Sequence, residues 1–310
     1  MMRFFRAIIV GAVCLLAGTA AASPMDVETL RSSGFDGAIT YEIEDDDQNP
    51  VPDANAQIHF DVYGEDGSTL FLKSDANGRV AAQAKVNLEA HACFGKMGYY
   101  KSWHDYMFFS CDETHHQDGR WLPWNPVFKI QLRRVIDPIE QKPTRFLLRN
   151  IATNALCNVS LLPHGRLFSG NTNDPPAFLF VWNHSPTAKK ASGVRYSFVS
   201  TNEACGFQIL QKVAGCSFPY VYEAPTNGYA SRITFATEPH GEEERPPLDS
   251  TTEYLVFRIP DDDSGFRYGI MKSCQVSIPS KDHMLLTIQF LLNKTENRRN
   301  LEFSMPWERP

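Results

Sequence analysis

The chain has 310 residues, 43% apolar and 21% charged, with 30 basic against 36 acidic side chains and a net charge of −6. That balance excludes a nucleic-acid binder, because phosphate neutralisation needs clustered lysine and arginine, and "LRRVID" and "NRRNLEF" hold only isolated pairs. No internal repeat is visible, and past the first residues no apolar run reaches membrane-spanning length, since Thr287 and Gln289 interrupt "MLLTIQFLLN".

Residues 1–22 set the expected compartment. Arg3 and Arg6 precede an apolar run from Ala7 to Leu16, and Ala20-Ala21-Ala22 supplies a small-residue cleavage pattern. This order is that of a secretory signal peptide, so the protein is expected to be exported, to the periplasm or beyond. The run is shorter than the ~20 residues of a membrane span. Cys14 follows Val13, which is too bulky for a lipid-attachment box. Cleavage removes two arginines and no acid, taking the net charge from −6 to −8.

The elements that follow read as β. "PMDVETLRSSG" allows one short helical turn, ending at Gly34. "AITYEIE" puts Ile39, Tyr41 and Ile43 on one face, and "AQIHFDVYG" puts Ile58, Phe60 and Val62 on one face with His59 and Asp61 opposite. "FKIQLRRV" repeats the pattern with Phe128, Ile130 and Leu132. Strict alternation marks half-buried antiparallel strands. "EDG" and "DANG" are tight turns, and the prolines of "NPVPDAN" break the ladder. "RVIDPIEQKPTRF" reads as a connection between a β-sandwich module, 36–136, and a β-rich C-terminal domain, 146–310. Strands expected in the second include "AFLFVWNHS", "VRYSFVST", "GFQILQKV", "SRITFATE", "TEYLVFRIP" and "LLTIQFLLN", while the acidic "EPHGEEERPPLD" is a solvated loop. The expected class is all-β.

Six cysteines follow the leader, and an even count in an exported chain points to disulfides. Cys205 and Cys216 bracket a hairpin-length segment and are paired on that ground; Cys93 and Cys111 bracket an aromatic-rich one; Cys157 and Cys274 pair by elimination. Unbridged buried thiols are the alternative.

Chemistry-bearing motifs are sparse. "WHDYMFFSCDETHHQD" gathers His104, Asp105, Asp112, Glu113, His115, His116 and Asp118, types that ligate zinc, but without a zinc-protease spacing; a polar loop tip is the plainer reading. "EDDDQ" and "DDDSG" lack the calcium-loop spacing and read as solvated turn acids. No nucleophile elbow occurs, and no catalytic residue, metal or cofactor is assigned. Sequons stand at Asn158, Asn183 and Asn293. The aromatics between Cys93 and Cys111, with Trp121 and Trp124 after them, are the stronger lead, because exposed tyrosine and tryptophan stack on sugars or anchor protein partners. Tyr100, Trp103 and Trp121 are the expected ligand contacts, and Tyr99 is placed in the core.

"GAITYEIEDDDQNPVPDANAQIHF", "LKSDANGRV" and "GKMGYYKS" together resemble a carboxypeptidase regulatory-like module. The matching elements are the proline turn at Asn49–Val51, the strand Ala54–Phe60, the Ser74–Gly78 turn and Lys96–Tyr99, spanning about a third of the chain. The resemblance implies a transthyretin-like sandwich of about seven strands. The usual Gly-Ala after the proline turn is Asp53-Ala54 here, and a long insertion separates Asp61 from Lys73. The remainder is similar to uncharacterised exported bacterial proteins that carry the module. In that group the module is non-catalytic and serves folding, stability or binding. The expected function is therefore a non-catalytic exported binding or envelope-structural module with a carbohydrate or protein partner. The competing expectation is a metal-dependent hydrolase on the His104–Asp118 segment.

Overall fold

A computed structural model describes residues 34–304 except 63–65, 109–115, 155, 160–177, 185–193, 238–243, 261–264, 281–282 and 296. The expected leader, Cys14, the short helical turn before Gly34, Cys111, Asp112, Glu113, His115 and the acids of "DDDSG" lie outside the described residues. The described residues form strands and connections and no helix, so no helix is long and apolar enough to cross a membrane.

The first strands are β1 (Phe35–Glu44), β2 (Asn55–Phe60), β3 (Ser68–Lys73), β4 (Arg79–Val86), β5 (Glu89–Gly95) and β6 (Ser102–Met107). The short β7 (His116–Gln117) and β8 (Arg120–Trp121) and then β9 (Val127–Gln131) complete this half. One sheet runs β3-β2-β5-β6; the other runs β4-β1-β8-β7, with β9 also on β1. Alternation sends Ala56, Ile58, Phe60, Val80, Ala82, Ala90, Ala92 and Phe94 into a shared core with Ile39, Tyr41 and Ile43. The pairing is antiparallel except that β1 runs parallel to β8 and to β9, Tyr41 opposite Phe128. A parallel neighbour needs a long crossover, and the whole stretch from β2 to β8 supplies it.

The Ser74–Gly78 turn explains its own composition. Ser74 is buried; its Oγ accepts from Ala54 N at 2.8 Å and donates to Val51 O at 2.7 Å, tying the proline turn to the end of β3. Asp75 Oδ1 accepts from Asn77 N and Arg79 N, both at 2.8 Å. Gly78 has φ +73°, and a Cβ there would lie 2.4 Å from Ile43 O. Changing Ser74 to alanine leaves one N–H and one carbonyl without their buried partner. The expected loss is about 1–3 kcal/mol in urea unfolding; a change under ~0.5 kcal/mol would show that the tie is dispensable.

The second half contains β10 (Ile139–Glu140), β11 (Thr144–Ala152), β12 (Cys157–Val159), β13 (Phe178–His184), β14 (Val194–Val199) and β15 (Gly206–Gln211). It continues with β16 (Arg232–Ala236), β17 (Glu244–Arg245), β18 (Glu253–Pro260), β19 (Phe266–Ser280), β20 (His283–Leu292) and β21 (Phe303–Ser304). Sheets β11-β20-β19-β18-β15 and β12-β13-β14-β16-β17 enclose an aromatic core in which Phe178, Phe198 and Phe207 meet with ring centroids 5.6–5.9 Å apart.

The Cys205–Cys216 and Cys157–Cys274 pairings are corrected here, while the partner proposed for Cys93, Cys111, lies outside the described residues. Cys93, Cys157, Cys205, Cys216 and Cys274 are free. Cys205 and Cys216 do not bracket a hairpin, because β15 pairs with β18 instead of folding back. Cys216 is carried to Ser102, across the seam between the halves. The Cys274 thiol meets the Tyr196 hydroxyl on β14, two strands from Cys157 on β12, and burial pushes that thiol up to about 12.

The seam itself is polar at its centre. Arg133 is 6% exposed; its Nε donates to Asp46 Oδ1 at 3.1 Å and its Nη1 donates to Phe218 O at 3.1 Å and to Tyr220 O. Its guanidinium lies 4.9 Å from the Phe218 ring and 4.3 Å from that of Tyr222. Glu302, also buried, accepts from Tyr100 Oη at 2.9 Å, Ile136 N at 2.9 Å and Asp137 N at 2.5 Å. The reading of "EDDDQ" as solvated turn acids holds for the exposed Asp47 and is corrected for Asp45 and Asp46. Asp45 is buried and caps its own turn through Asp47 N and Asn49 N, and Asp46 holds Arg133. Burial alone would raise the Asp45 carboxyl, but the backbone donors and Arg134 outweigh it and hold that group below its ordinary value.

Candidate functional site

The outer face of β3-β2-β5-β6 carries an array of outward-pointing polar and aromatic side chains. Since Ala56, Ile58, Phe60, Ala90, Ala92 and Phe94 point inward, the intervening residues point to solvent. The register then writes them in rows across the four strands. One row is Phe71, Gln57, Cys93, Trp103, and the next is Thr69, His59, His91, Asp105. Phe71 is 76% exposed and Trp103 48%, with Met107 further along β6 also exposed. Three interstrand spacings put the backbone positions of Phe71 and Trp103 about 14 Å apart.

The edge at β6 is held. Trp103 N donates to Gly215 O at 2.6 Å and Ser217 N donates to Lys101 O at 2.8 Å, so a segment of the second half completes the ladder beside Trp103. Between them lies an open groove of about 370 Å³, lined by Trp103, Asp105, Lys129, Gln131 and Gly215.

The sequence-derived contacts divide. Trp103 is presented to solvent. Tyr100 is 0% exposed, stacked on Phe218 at 4.9 Å in the seam, and Trp121 is 1% exposed, its Nε1 donating to Val86 O at 2.7 Å. Neither offers a ring to a ligand. Alternation alone could not separate them, because Tyr100 precedes its strand and is covered by residues more than a hundred positions away. Tyr99 packs against the first core, and Asn293, one of the sequons, is buried with its Nδ2 donating to Asn300 O at 2.9 Å.

The described residues of the His104–Asp118 segment do not converge. His104 turns to the interior, 4.5 Å from the Phe128 ring and 5.7 Å from Tyr41, and burial lowers its basicity. His116 stacks on Phe35 at 4.6 Å. Asp105 takes the opposite face and accepts from His91 Nδ1 at 2.8 Å. That bond, with the charges of Glu89, Asp105 and Asp61, raises the His91 imidazole above its ordinary value against a smaller burial penalty. Beside it, His59 Nε2 stands 2.8 Å from Asp61 Oδ1 and its Nδ1 stands 2.8 Å from Thr69 Oγ1. This group has no motif spacing in the sequence, and its one legible signal there is that His59 and Asp61 alternate away from the core.

No family model and no curated relative matches the chain. Among solved structures, 3-chlorocatechol 1,2-dioxygenase from Rhodococcus opacus 1CP aligns at 13% identity and TM-score 0.27, over 33% of this chain and 61% of that one. The major pilin subunit BcpA of Bacillus cereus aligns at 11% and 0.22, over 84% and 59%. A putative carbohydrate binding protein from Bacteroides uniformis ATCC 8492 aligns at 9% and 0.20, over 84% and 100%. The chain thus spans about three-fifths of the dioxygenase and of the pilin, and similarity this low assigns no function.

Proposed function

We propose that the protein is an exported, non-catalytic binding module whose ligand face is the outer side of β3-β2-β5-β6 and whose ligand is a polysaccharide. The observation that carries this reading is the row Phe71–Gln57–Cys93–Trp103, two exposed rings on the outermost strands of one sheet with a polar amide between them. Such a row suits an extended sugar chain lying across the strands, its apolar faces stacked on the rings and its hydroxyls bonded to Gln57 and to the groove at Lys129 and Gln131. A rigid sheet presents these groups with little further loss of conformational freedom on binding. A protein partner is the less favoured occupant, because the face has no contiguous apolar centre to bury. The basic-then-apolar order of residues 1–22 supports export.

Affinity electrophoresis over a panel of neutral and acidic polysaccharides tests the proposal. The wild type is expected to be retarded by at least one of them, and Trp103→Ala to bind it about 10–30-fold more weakly, the loss of a hot-spot contact. Since Trp103 is half exposed and its ladder bond is made by backbone, stability should change by no more than about 1 kcal/mol. A wild type that no polysaccharide retards, or a variant that binds equally well, would sink the reading.

A further inference from the structure

The end of the same face holds side chains that a stacked sugar does not use. β2 runs into Asp61 and β5 begins at Glu89, and the two are fastened by Asp61 N donating to Glu89 O at 2.9 Å and Asn87 N donating to Asp61 O at 3.1 Å. His91 follows on the same face of β5, opposite His59 on one side and Asp105 on the other. One donor atom from each of Asp61, Glu89 and His91 lies within 4.8 Å of the other two. His91 Nε2 stands 3.3 Å from both Asp61 Oδ2 and Glu89 Oε1.

Two features make this more than a patch of charge. Ligand atoms ~2.0–2.1 Å from a tetrahedral ion stand about 3.3–3.4 Å apart, and that is the spacing of His91 Nε2 from each carboxylate oxygen. The orientation is also supplied from outside. Asp105 receives the Nδ1 proton of His91 at 2.8 Å, which turns Nε2 toward the carboxylates, and His59 engages the other oxygen of Asp61 at 2.8 Å. A carboxylate behind a ligating histidine, and a partner behind a ligating carboxylate, are the usual supports of a metal centre. Among the described residues no lysine or arginine pairs with Asp61, Glu89 or Asp105.

We propose that Asp61, Glu89 and His91 bind a first-row divalent cation, of which Zn²⁺ is the best matched. One imidazole and two carboxylates suit zinc, whereas magnesium and calcium prefer all-oxygen shells. The three ligands are a third to a half exposed, so the ion enters from solvent and keeps an outward position for water or for a ligand on the same face. The proposal stands independently of the polysaccharide reading.

The test is titration of the full chain with Zn²⁺ by calorimetry, with bound zinc counted by mass spectrometry after dialysis. One equivalent is expected. Glu89→Gln and His91→Ala should each weaken binding at least tenfold, and Asp105→Asn about 10–100-fold through orientation alone. Cys93→Ser and Trp103→Ala should bind as the wild type does, which excludes the exposed thiol as the ligand and separates this site from the aromatic row. The substituted side chains are surface groups, so unfolding without zinc should be unchanged and confirms that each variant is folded. Absence of stoichiometric zinc, retention of it by both Glu89→Gln and His91→Ala, or equal binding of Ca²⁺ would overturn the proposal.

Discussion

Replacing Arg133 with alanine is expected to cost about 3–5 kcal/mol of stability, the penalty for breaking a buried ion pair from one side. The side chain makes three donations at the seam, to Asp46 Oδ1, Phe218 O and Tyr220 O, and its flat guanidinium is covered by Phe218 and Tyr222. Alanine removes all of these and leaves two carbonyls and a carboxylate short of a partner. Asp46 keeps Tyr222 Oη at 3.0 Å and Arg134 N at 3.0 Å, which places the loss toward the lower end of the range. Arg133→Lys retains the charge but neither the fork nor the stacking, so it should still lose at least 1 kcal/mol. Urea unfolding followed by circular dichroism reads both. An alanine variant within ~1 kcal/mol of the wild type would mean that the apolar contacts of Tyr100, Phe218 and Leu301 hold the halves together unaided.

Trp121→Ala should be comparably damaging and for a different reason. The indole is buried against Phe35, at 5.3 Å and edge-on, and against Phe108 at 6.5 Å, and truncating a buried tryptophan costs about 3–5 kcal/mol through lost contacts and the cavity left. Trp121→Phe restores most of the packing but leaves Val86 O without its donor, a smaller loss of about 1–3 kcal/mol. At a temperature where the alanine variant is still folded, its polysaccharide affinity should match the wild type, the opposite of Trp103→Ala. Two tryptophans eighteen positions apart would then part cleanly, one serving the core and one the surface. A Trp121→Ala protein of full stability and weakened binding would reverse that assignment.

The described fold bears on function through register. Cys93 is opposite Trp103 and Gln57, and His91 is opposite Asp105 and His59, only because β5 pairs with β2 on one side and β6 on the other without a slip. A slip of one residue would turn every one of these side chains into the core and every alanine and phenylalanine out, so burial of Ile58, Phe60 and Phe94 also specifies the face.

What the sequence by itself determined is whatever is written locally. The alternation of Ile39, Tyr41, Ile43 and of Ala56, Ile58, Phe60 set strand type and inward face, and Ser74, Asp75 and Gly78 set a turn whose bonds close within a few residues or onto the adjacent strand. The all-β class and the outward placement of His59 follow from that same period of two. What only the tertiary structure decided depends on partners distant in the chain. Tyr100 is buried because Glu302, 202 residues away, accepts its hydroxyl; Cys216 leaves Cys205 because β15 prefers β18; and the acids of "EDDDQ" meet the arginine pair of "LRRVID" across 87 to 89 residues. The group of His59, Asp61, Glu89, His91 and Asp105 has no motif spacing, since two ladders and not a loop assemble it. In a β protein the strand pattern is a property of neighbouring residues, while coverage, pairing and site assembly are properties of non-local contacts, and those are not legible from spacing along the chain.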